Sequence, residues 1–423
     1  MIKQHDIIIV GSGPAGLGAA FHLAENSEKK ILLIDKAKIS SGGLRNDCKQ
    51  NYTWPVGFPE DIWEDQEASV LLERAADHLK PRYEPQGNIN KYRERAEKLG
   101  VKFLQIRQAH VGTDKSVFLI ESLIAELKKM GVDVLLEAEM KGIDVGKREI
   151  KINQEPARIE YGNLVIAPGR AAFGWIQDIM REIGVEYEDN VVDVGVRIEA
   201  RIENYPIVRD YYDPKFIFPD GVRTFCTNSG AAYIVREKYE HYYSVNGHSF
   251  SLEKKPNGLV NFAMLYTIKL TDPVVSGHQF ADIMGQMAMK LSGGNPMMQR
   301  VGDFRMGKRS KRSTFNDDLY DFEPTLSSST PGDISLAMPA KILRAIWRSL
   351  KMLDTIVPGL LHPSTIIYYP EIKTYANKPK FIDSHFRVKD NIYIIGDGAG
   401  TSRGITAAWA SGIRAAAGIL QSL

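Results

Sequence analysis

Residues 6–16 read Asp6-Ile7-Ile8-Ile9-Val10-Gly11-Ser12-Gly13-Pro14-Ala15-Gly16. The β-branched run predicts a short buried strand that stops at Gly11. The glycines then open a helix whose apolar residues Leu17, Ala20, Phe21 and Ala24 recur at helical spacing. A second apolar run, Ile31 to Ile34, predicts another strand, closing on Asp35. Together they make a β-α-β unit of about 30 residues, the length a parallel crossover requires. Gly11 permits a tight turn, Gly13 lets a pyrophosphate approach the backbone, and Gly16 lets the helix pack on the sheet. With Ser12 and Ala15 they present a helix N-terminus whose unpaired N–H groups and partial positive charge suit an anion. Pro14 stands in the first turn, where its missing donor costs nothing. Asp35 lies 22 residues past Gly13, at the strand end where an acid accepts ribose hydroxyls. This segment is expected to bind a dinucleotide.

Three later stretches select FAD, held non-covalently, over NAD. Gly42-Gly43-Leu44-Arg45 follows Asp35 closely enough for a second loop to bring Arg45 to the same pyrophosphate. Leu164 to Ile166 is a buried strand ending in the turn Ala167-Pro168-Gly169. Ile392 to Ile395 is another strand, ending in Gly396-Asp397, with a small-residue helix starting near Gly404 and Ile405. An aspartate at Asp397 can hydrogen-bond a ribityl chain, which only a flavin possesses. The helix from Gly404 would aim its donors at the flavin N1–C2 edge and stabilise the reduced anion. Lys36, and Met140 at the start of a later strand, complete the expected cofactor contacts.

The motifs Gly-x-Gly-Pro-Ala-Gly, Ala-Pro-Gly and Ile-Gly-Asp resemble the three FAD motifs of the glutathione-reductase-type superfamily. His110-Val111-Gly112-Thr113-Asp114 and Val194-Gly195-Val196-Arg197-Ile198-Glu199 are similar to stretches of a narrower group, the uncharacterised FAD-dependent dehydrogenases. So are Asp213-Pro214-Lys215, Arg223-Thr224-Phe225-Cys226, Val245-Asn246-Gly247 and the tail Gly398-Ala399-Gly400. The resemblance implies a redox flavoenzyme (a dehydrogenase or reductase) passing hydride through flavin N5 to or from a small organic substrate. It departs from that group at Asn228, where a second cysteine is common, so a vicinal dithiol is not expected. Within the family-like stretches His110, Lys215, Cys226 and His248 are the candidate catalytic residues, histidine being poised for proton transfer near neutral pH.

The chain has 423 residues, too many for one ordinary core, and its 43% apolar and 25% charged residues are those of a folded protein. The fold class expected is α/β: a discontinuous glutathione-reductase-type FAD-binding Rossmann domain with a second, mixed α+β substrate domain. Its parts are residues 1–190, with a helical insertion at about 46–100, and 386–423; the substrate domain spans 191–385. Strands are expected near 101–106, 132–136, 140–145, 148–153, 191–199, 223–235, 242–246 and 259–269. Helices are expected at 280–291, at 340–353, and from a Thr113 or Asp114 cap to Gly131.

A net charge of +2 gives no global field toward nucleic acid or an anionic membrane. No run approaches the roughly 18 apolar residues of a spanning helix, and the N-terminus has no leader pattern, so the expected location is the cytoplasm. Cys48 and Cys226 are too few for a disulfide framework or a thiolate zinc site, and no metal is expected. No second Gly-x-Gly-x-x-Gly follows a strand, so the electron donor, NAD(P)H or a protein, stays open. The rival readings are a flavin monooxygenase and a flavin-containing RNA-modification or partner-binding protein. The second draws only on the basic run Arg305, Lys308, Arg309, Lys311 and Arg312, which reads rather as a solvated loop.

Overall fold

The computed structural model describes residues 4–39, 43–46, 48–188, 191–250, 255–268, 276–315, 322–374 and 377–423. They form two compact units, Met1–Tyr83, Ile106–Asn190 and Tyr375–Leu423 in one, and Glu84–Gln105 and Val191–Thr374 in the other. Residues 84–105 thus pack with the second unit, and the chain re-enters the first at Tyr375.

The first unit is built on an eight-stranded sheet. Its path runs Asp133–Leu136, Ile31–Asp35, Gln4–Val10, Arg158–Ile166, Ile392–Ile394, Arg387–Lys389. The first five are mutually parallel, and the apolar runs at 7–10, 31–34 and 164–166 follow from burial on both faces. Met140–Asp144 and Glu149–Ile152 add an antiparallel ribbon to Arg158–Ile166. The register pairs Val10 with Ile34 on one side and Ile166 on the other, and Ile166 with Ile394. Four strands therefore end level, and Gln4–Val10 lies where the connections diverge to either side, the position at which such sheets open a binding crevice.

Helices Pro14–Asn26 and Ile405–Gln421 pack together at backbone distance. A methyl group on Gly412 would lie 2.0 Å from the Ala15 carbonyl oxygen, and one on Gly18 would lie 2.3 Å from that of Trp409. Trp409 is fully buried and stacks on Phe21 and His78, both at 5.6 Å. A large aromatic surface thus leaves water where the two helices meet.

The second unit carries its own eight-stranded sheet. It runs Thr330–Pro331, Met297–Arg300, Ile366–Thr374, Val192–Arg201, Leu259–Ile268, Val222–Asn228, Lys215–Ile217, Lys102–Leu104. Along Val192–Arg201 the even positions Val194, Val196 and Ile198 join a core with Ile342, Leu350 and Leu353 of helix Ala340–Ile356. Asp193, Arg197 and Glu199 alternate onto the other face, yet all three are fully buried. The strand expected over 223–235 is two strands, Val222–Asn228 and Ala232–Lys238, the latter in a hairpin with Tyr243–Ser249. The helix expected at 280–291 starts earlier, at Gly277, where the Ser276 hydroxyl accepts from the Gln279 N–H at 3.4 Å.

Gly412→Ala is expected to destabilise the chain by about 3 kcal/mol or more, since backbone, not a flexible side chain, blocks the methyl group. Gly174→Ala, in a helix with open space at that point, should leave stability unchanged or raise it by up to about 1 kcal/mol. Urea denaturation of both variants checks the pair.

Candidate functional site

At the level edge of the first sheet the strand ladders continue into the loops. The Gly11 N–H donates to Ile34 O (2.8 Å), Ala167 N–H to Val10 O (2.8 Å) and Ile395 N–H to Ile166 O (2.9 Å). A Cβ on Gly11 would sit 2.3 Å from Ala167 O, and one on Gly398 would sit 2.6 Å from Gly169 O and from the Pro168 ring. A Cβ on Gly396 would meet Ala15 at 2.9 Å. The three glycine turns, distant in sequence, are in backbone contact. Trp63 Nε1 donates to Thr401 O (2.7 Å), and the Arg403 N–H to Gly57 O (2.7 Å), so the early aromatic loop fixes the third turn.

Two helices begin here with no side-chain cap: Pro14–Asn26 after Gly13, and Ile405–Gln421 after Gly404. Their first-turn N–H groups are donors that an anion or a flavin carbonyl can use. Asp35 Oδ2 accepts from both the Ser12 N–H and the Ser12 hydroxyl (2.7 Å each), and Oδ1 from the Ala37 N–H at 2.8 Å. The carboxylate so tied holds the first glycine turn against the end of the second strand. Paired helix termini, the close-packed turns and an acid at each end fit an extended dinucleotide.

Asp397 accepts from the Gly404 N–H (3.1 Å) and the Ser402 hydroxyl (3.3 Å), closing the loop before the last helix. Burial pushes its carboxyl up from the ordinary 3.8. Arg170, whose Nε lies 3.3 Å from Oδ2, opposes that shift, as do the Gly404 and Ser402 donors. Arg170 has no counterpart among the residues singled out in the sequence; its one visible signal is its place directly after the Ala-Pro-Gly turn.

Arg45 Nη1 donates to Thr113 O (3.1 Å) and meets the Ser116 hydroxyl at 3.4 Å. The side chain expected at the pyrophosphate is therefore engaged at the start of helix Ser116–Lys129. Neither Thr113 nor Asp114 caps that helix, which begins at Ser116 after Lys115 with no side-chain cap; the Thr113 carbonyl is occupied by Arg45 and the Ser116 hydroxyl instead. Gly43 and Leu44 form a single helical turn, with Leu44 fully buried, and Met140 is buried in the sheet's second core. Lys36 is exposed beside Asp35. Gly42 lies outside the described residues.

The catalytic candidates fall in both units. His110, half-buried, pairs with Lys49 in a two-stranded ribbon of the first unit, next to the wholly buried Cys48. Lys215, Cys226 and His248 belong to the second. Lys215 is buried in an ion pair with Asp213, whose other oxygen accepts from the Thr227 N–H at 2.8 Å, so one carboxylate bridges Lys215 and the residue after Cys226. Cys226 is half-exposed at a bulge with φ 49°, a left-handed conformation that costs a non-glycine residue energy. Its carbonyl accepts from Arg197 Nη1 and Asn228 Nδ2, both at 3.2 Å. Arg197 is itself locked by bidentate bonds to Glu371 (2.7 and 2.9 Å) and by Asn261 Oδ1 (2.7 Å). A Cβ on Gly247, next to His248, would lie 2.2 Å from that guanidinium. Among the described residues no group of three or more His, Cys, Asp or Glu is placed to hold a metal ion.

Residues 5–180 match the pyridine nucleotide-disulphide oxidoreductase family, a span holding the first glycine turn, Asp35 and the Ala-Pro-Gly turn. The chain is an FAD-dependent oxidoreductase. Comparison with curated proteins gives no match. Among solved structures, L-proline dehydrogenase from P. horikoshii is similar at 14% identity and a TM-score of 0.46, over 100% of this chain and 95% of that one. L-amino acid deaminase from Proteus myxofaciens follows at 13% and 0.44, over 100% and 91%, and glycine oxidase from Bacillus cereus at 13% and 0.41, over 99% and 96%. Likenesses this distant bring no substrate or mechanism to this flavoenzyme. Among the described residues, no helix is long and apolar enough to cross a membrane.

In this flavoenzyme the raised Asp397 carboxyl makes stability depend on pH. The native state holds the extra proton, so the contribution is complete below the unfolded value of 3.8 and is lost as pH climbs through the folded value. Asp397→Asn should remove that slope from flavin-free protein, and Arg170→Ala should extend it to higher pH. Urea midpoints across the acidic range, taken as differences from the unaltered chain, read both effects.

Proposed function

We propose that this flavoenzyme is a dehydrogenase or reductase moving hydride through flavin N5 to or from a small organic substrate, as a cytoplasmic member of the uncharacterised FAD-dependent dehydrogenases. The observation that carries the reading is the backbone contact of three glycine turns at one sheet edge, with two uncapped helix N-termini beside them. In this assignment Gly11, Ser12, Gly13, Pro14, Ala15 and Gly16 hold the pyrophosphate, and Asp35 holds the adenosine ribose. Ala167, Pro168, Gly169 and Gly396 wall the crevice, Asp397 takes the ribityl hydroxyls, and Gly404 and Ile405 direct a helix N-terminus at the ring. Bound FAD supplies a centre that accepts or gives two electrons.

The second unit, on this reading, selects the substrate. Lys215 and the Thr227 N–H, one residue past Cys226, share the Asp213 carboxylate, and Arg197, held by Glu371, donates to the Cys226 carbonyl and fixes the backbone that presents the thiol. His248 and, in the first unit, His110 are the candidate proton carriers. Cys48 is enclosed by protein and accepts from Gln50 Nε2 at 3.6 Å, an environment that favours a packing role over a redox one.

The purified chain should be yellow and keep one FAD per chain through gel filtration. Asp35→Asn should loosen FAD by about 10- to 100-fold, the worth of charge-assisted hydrogen bonds, as read by flavin fluorescence. Anaerobic titration with NADH, NADPH and a reduced ferredoxin identifies the reductant by which of them bleaches the flavin. Colourless protein that takes up no FAD contradicts the proposal, and product oxygenation with NAD(P)H would make it a monooxygenase.

A further inference from the structure

Asp397 opens a single helical turn, Asp397–Ala399, and its two carboxylate oxygens have different surroundings. Oδ1 accepts from the Ser402 hydroxyl (3.3 Å) and the Gly404 N–H (3.1 Å), so it belongs to its own loop. Oδ2 lies 3.3 Å from Arg170 Nε and accepts from the Gly404 N–H only at 3.4 Å. Arg170 starts another short turn directly after Gly169, whose φ of 63° is a left-handed value that glycine takes easily. Close approach of the second and third glycine turns brings the two residues together, since a Cβ on Gly398 would lie 2.6 Å from the Gly169 oxygen. Apart from this pair, residues 167–172 and 396–400 carry no charge.

The pair does little for folding. The Arg170 side chain is 42% exposed, and an ion pair so open to water adds little to stability. Its effect on the state of Asp397 matters more. Burial favours the neutral form of this carboxyl, and it is the largest influence on it. The charged groups that reach Asp397 are Arg170 and, more weakly, Arg403; both favour the carboxylate, as do the Gly404 and Ser402 donors. Without Arg170 a proton would settle on Oδ2, which keeps only the longer contact to Gly404. That proton would turn an acceptor into a donor. Arg170 is the cation placed against that oxygen.

We propose that Arg170 is a positioning residue for the flavin: it preserves Asp397 Oδ2 as an acceptor for the ribityl hydroxyls, so that FAD is held across the mildly acidic and neutral range. The proposal rests on the flavoenzyme reading and on the assignment of Asp397 to the ribityl chain. Arg170 acts through Asp397 and takes no part in electron transfer. Its charge carries most of the effect, and the planar guanidinium fixes the direction of the Nε–H. Lysine would supply the charge without that fixed donor.

The test uses the FAD-loaded protein and reads FAD release rather than turnover. The unaltered chain, Arg170→Ala, Arg170→Lys, Asp397→Asn and the double variant Arg170→Ala, Asp397→Asn are diluted at about pH 5.5 to about pH 8.5, and free flavin is followed by its fluorescence. Release from the unaltered chain should vary by less than about twofold across that range. Arg170→Ala should release FAD about tenfold faster at the acidic end and approach the unaltered rate as pH rises, because the carboxylate then forms unaided. Arg170→Lys should lose clearly less than Arg170→Ala. With Asp397→Asn already in place, Arg170→Ala should add less than about twofold. Five results would overturn the positioning role: unaltered rates in Arg170→Ala, slower release from it, a loss equal at every pH, a loss undiminished beside Asp397→Asn, or no recovery with lysine. Normal retention by Asp397→Asn overturns the ribityl assignment instead. An unaltered chain that takes up no FAD overturns the flavoenzyme reading, so the failures are told apart.

Discussion

The first unit depends on two helices from opposite ends of the chain meeting at backbone distance. Gly18 against the Trp409 carbonyl and Gly412 against the Ala15 carbonyl allow an approach that any larger residue would block. That approach seats Gly396 on Ala15 and lays the third turn on the second. Trp409, packed against both Phe21 and His78, adds buried aromatic area, although its indole N–H finds no partner among the described residues. Packing outweighs a polar loss of about 1–3 kcal/mol there.

The nucleotide-binding half was largely legible because its signals are local. Glycine spacing, a β-branched run and an acid at a strand end each describe backbone geometry within a few residues, and the parallel register aligns them without further information. What escaped was set by distant partners. Arg45, expected at the pyrophosphate, also meets Thr113 and Ser116, 68 and 71 residues on. Thr113 or Asp114 was expected to cap a helix, which begins instead at Ser116 after Lys115 with no side-chain cap. Arg170 acquires meaning only beside Asp397. Lys215 was singled out as a catalytic candidate, but its burial against Asp213 is visible only in the fold.

The second unit shows a different economy. Alternation along Val192–Arg201 was visible as a strand, and it already put Asp193, Arg197 and Glu199 on one face. Ordinarily that face would be wet. Here it is buried, so each charge is matched: Asp193 by Arg223 and Thr267, Arg197 by Glu371 and Asn261, Glu199 by Tyr368 and Thr325. Burial raises the Glu199 carboxyl, and those donors oppose the shift. Such layers are costly to form and more costly to break on one side, which makes them geometrically exacting. The bulge at Cys226 is held by one of them.

The nucleotide crevice is assembled from segments separated by nearly the whole second unit. A ribosome makes the first glycine turn early and the Gly396–Gly404 turn only after Val191–Thr374 has emerged. On the proposed site assignment, cofactor capture waits for the third turn, by which time the inserted unit has had time to fold as a body of its own. A chain that stalls before the final helix would carry a finished second unit beside an open, flavin-free sheet edge.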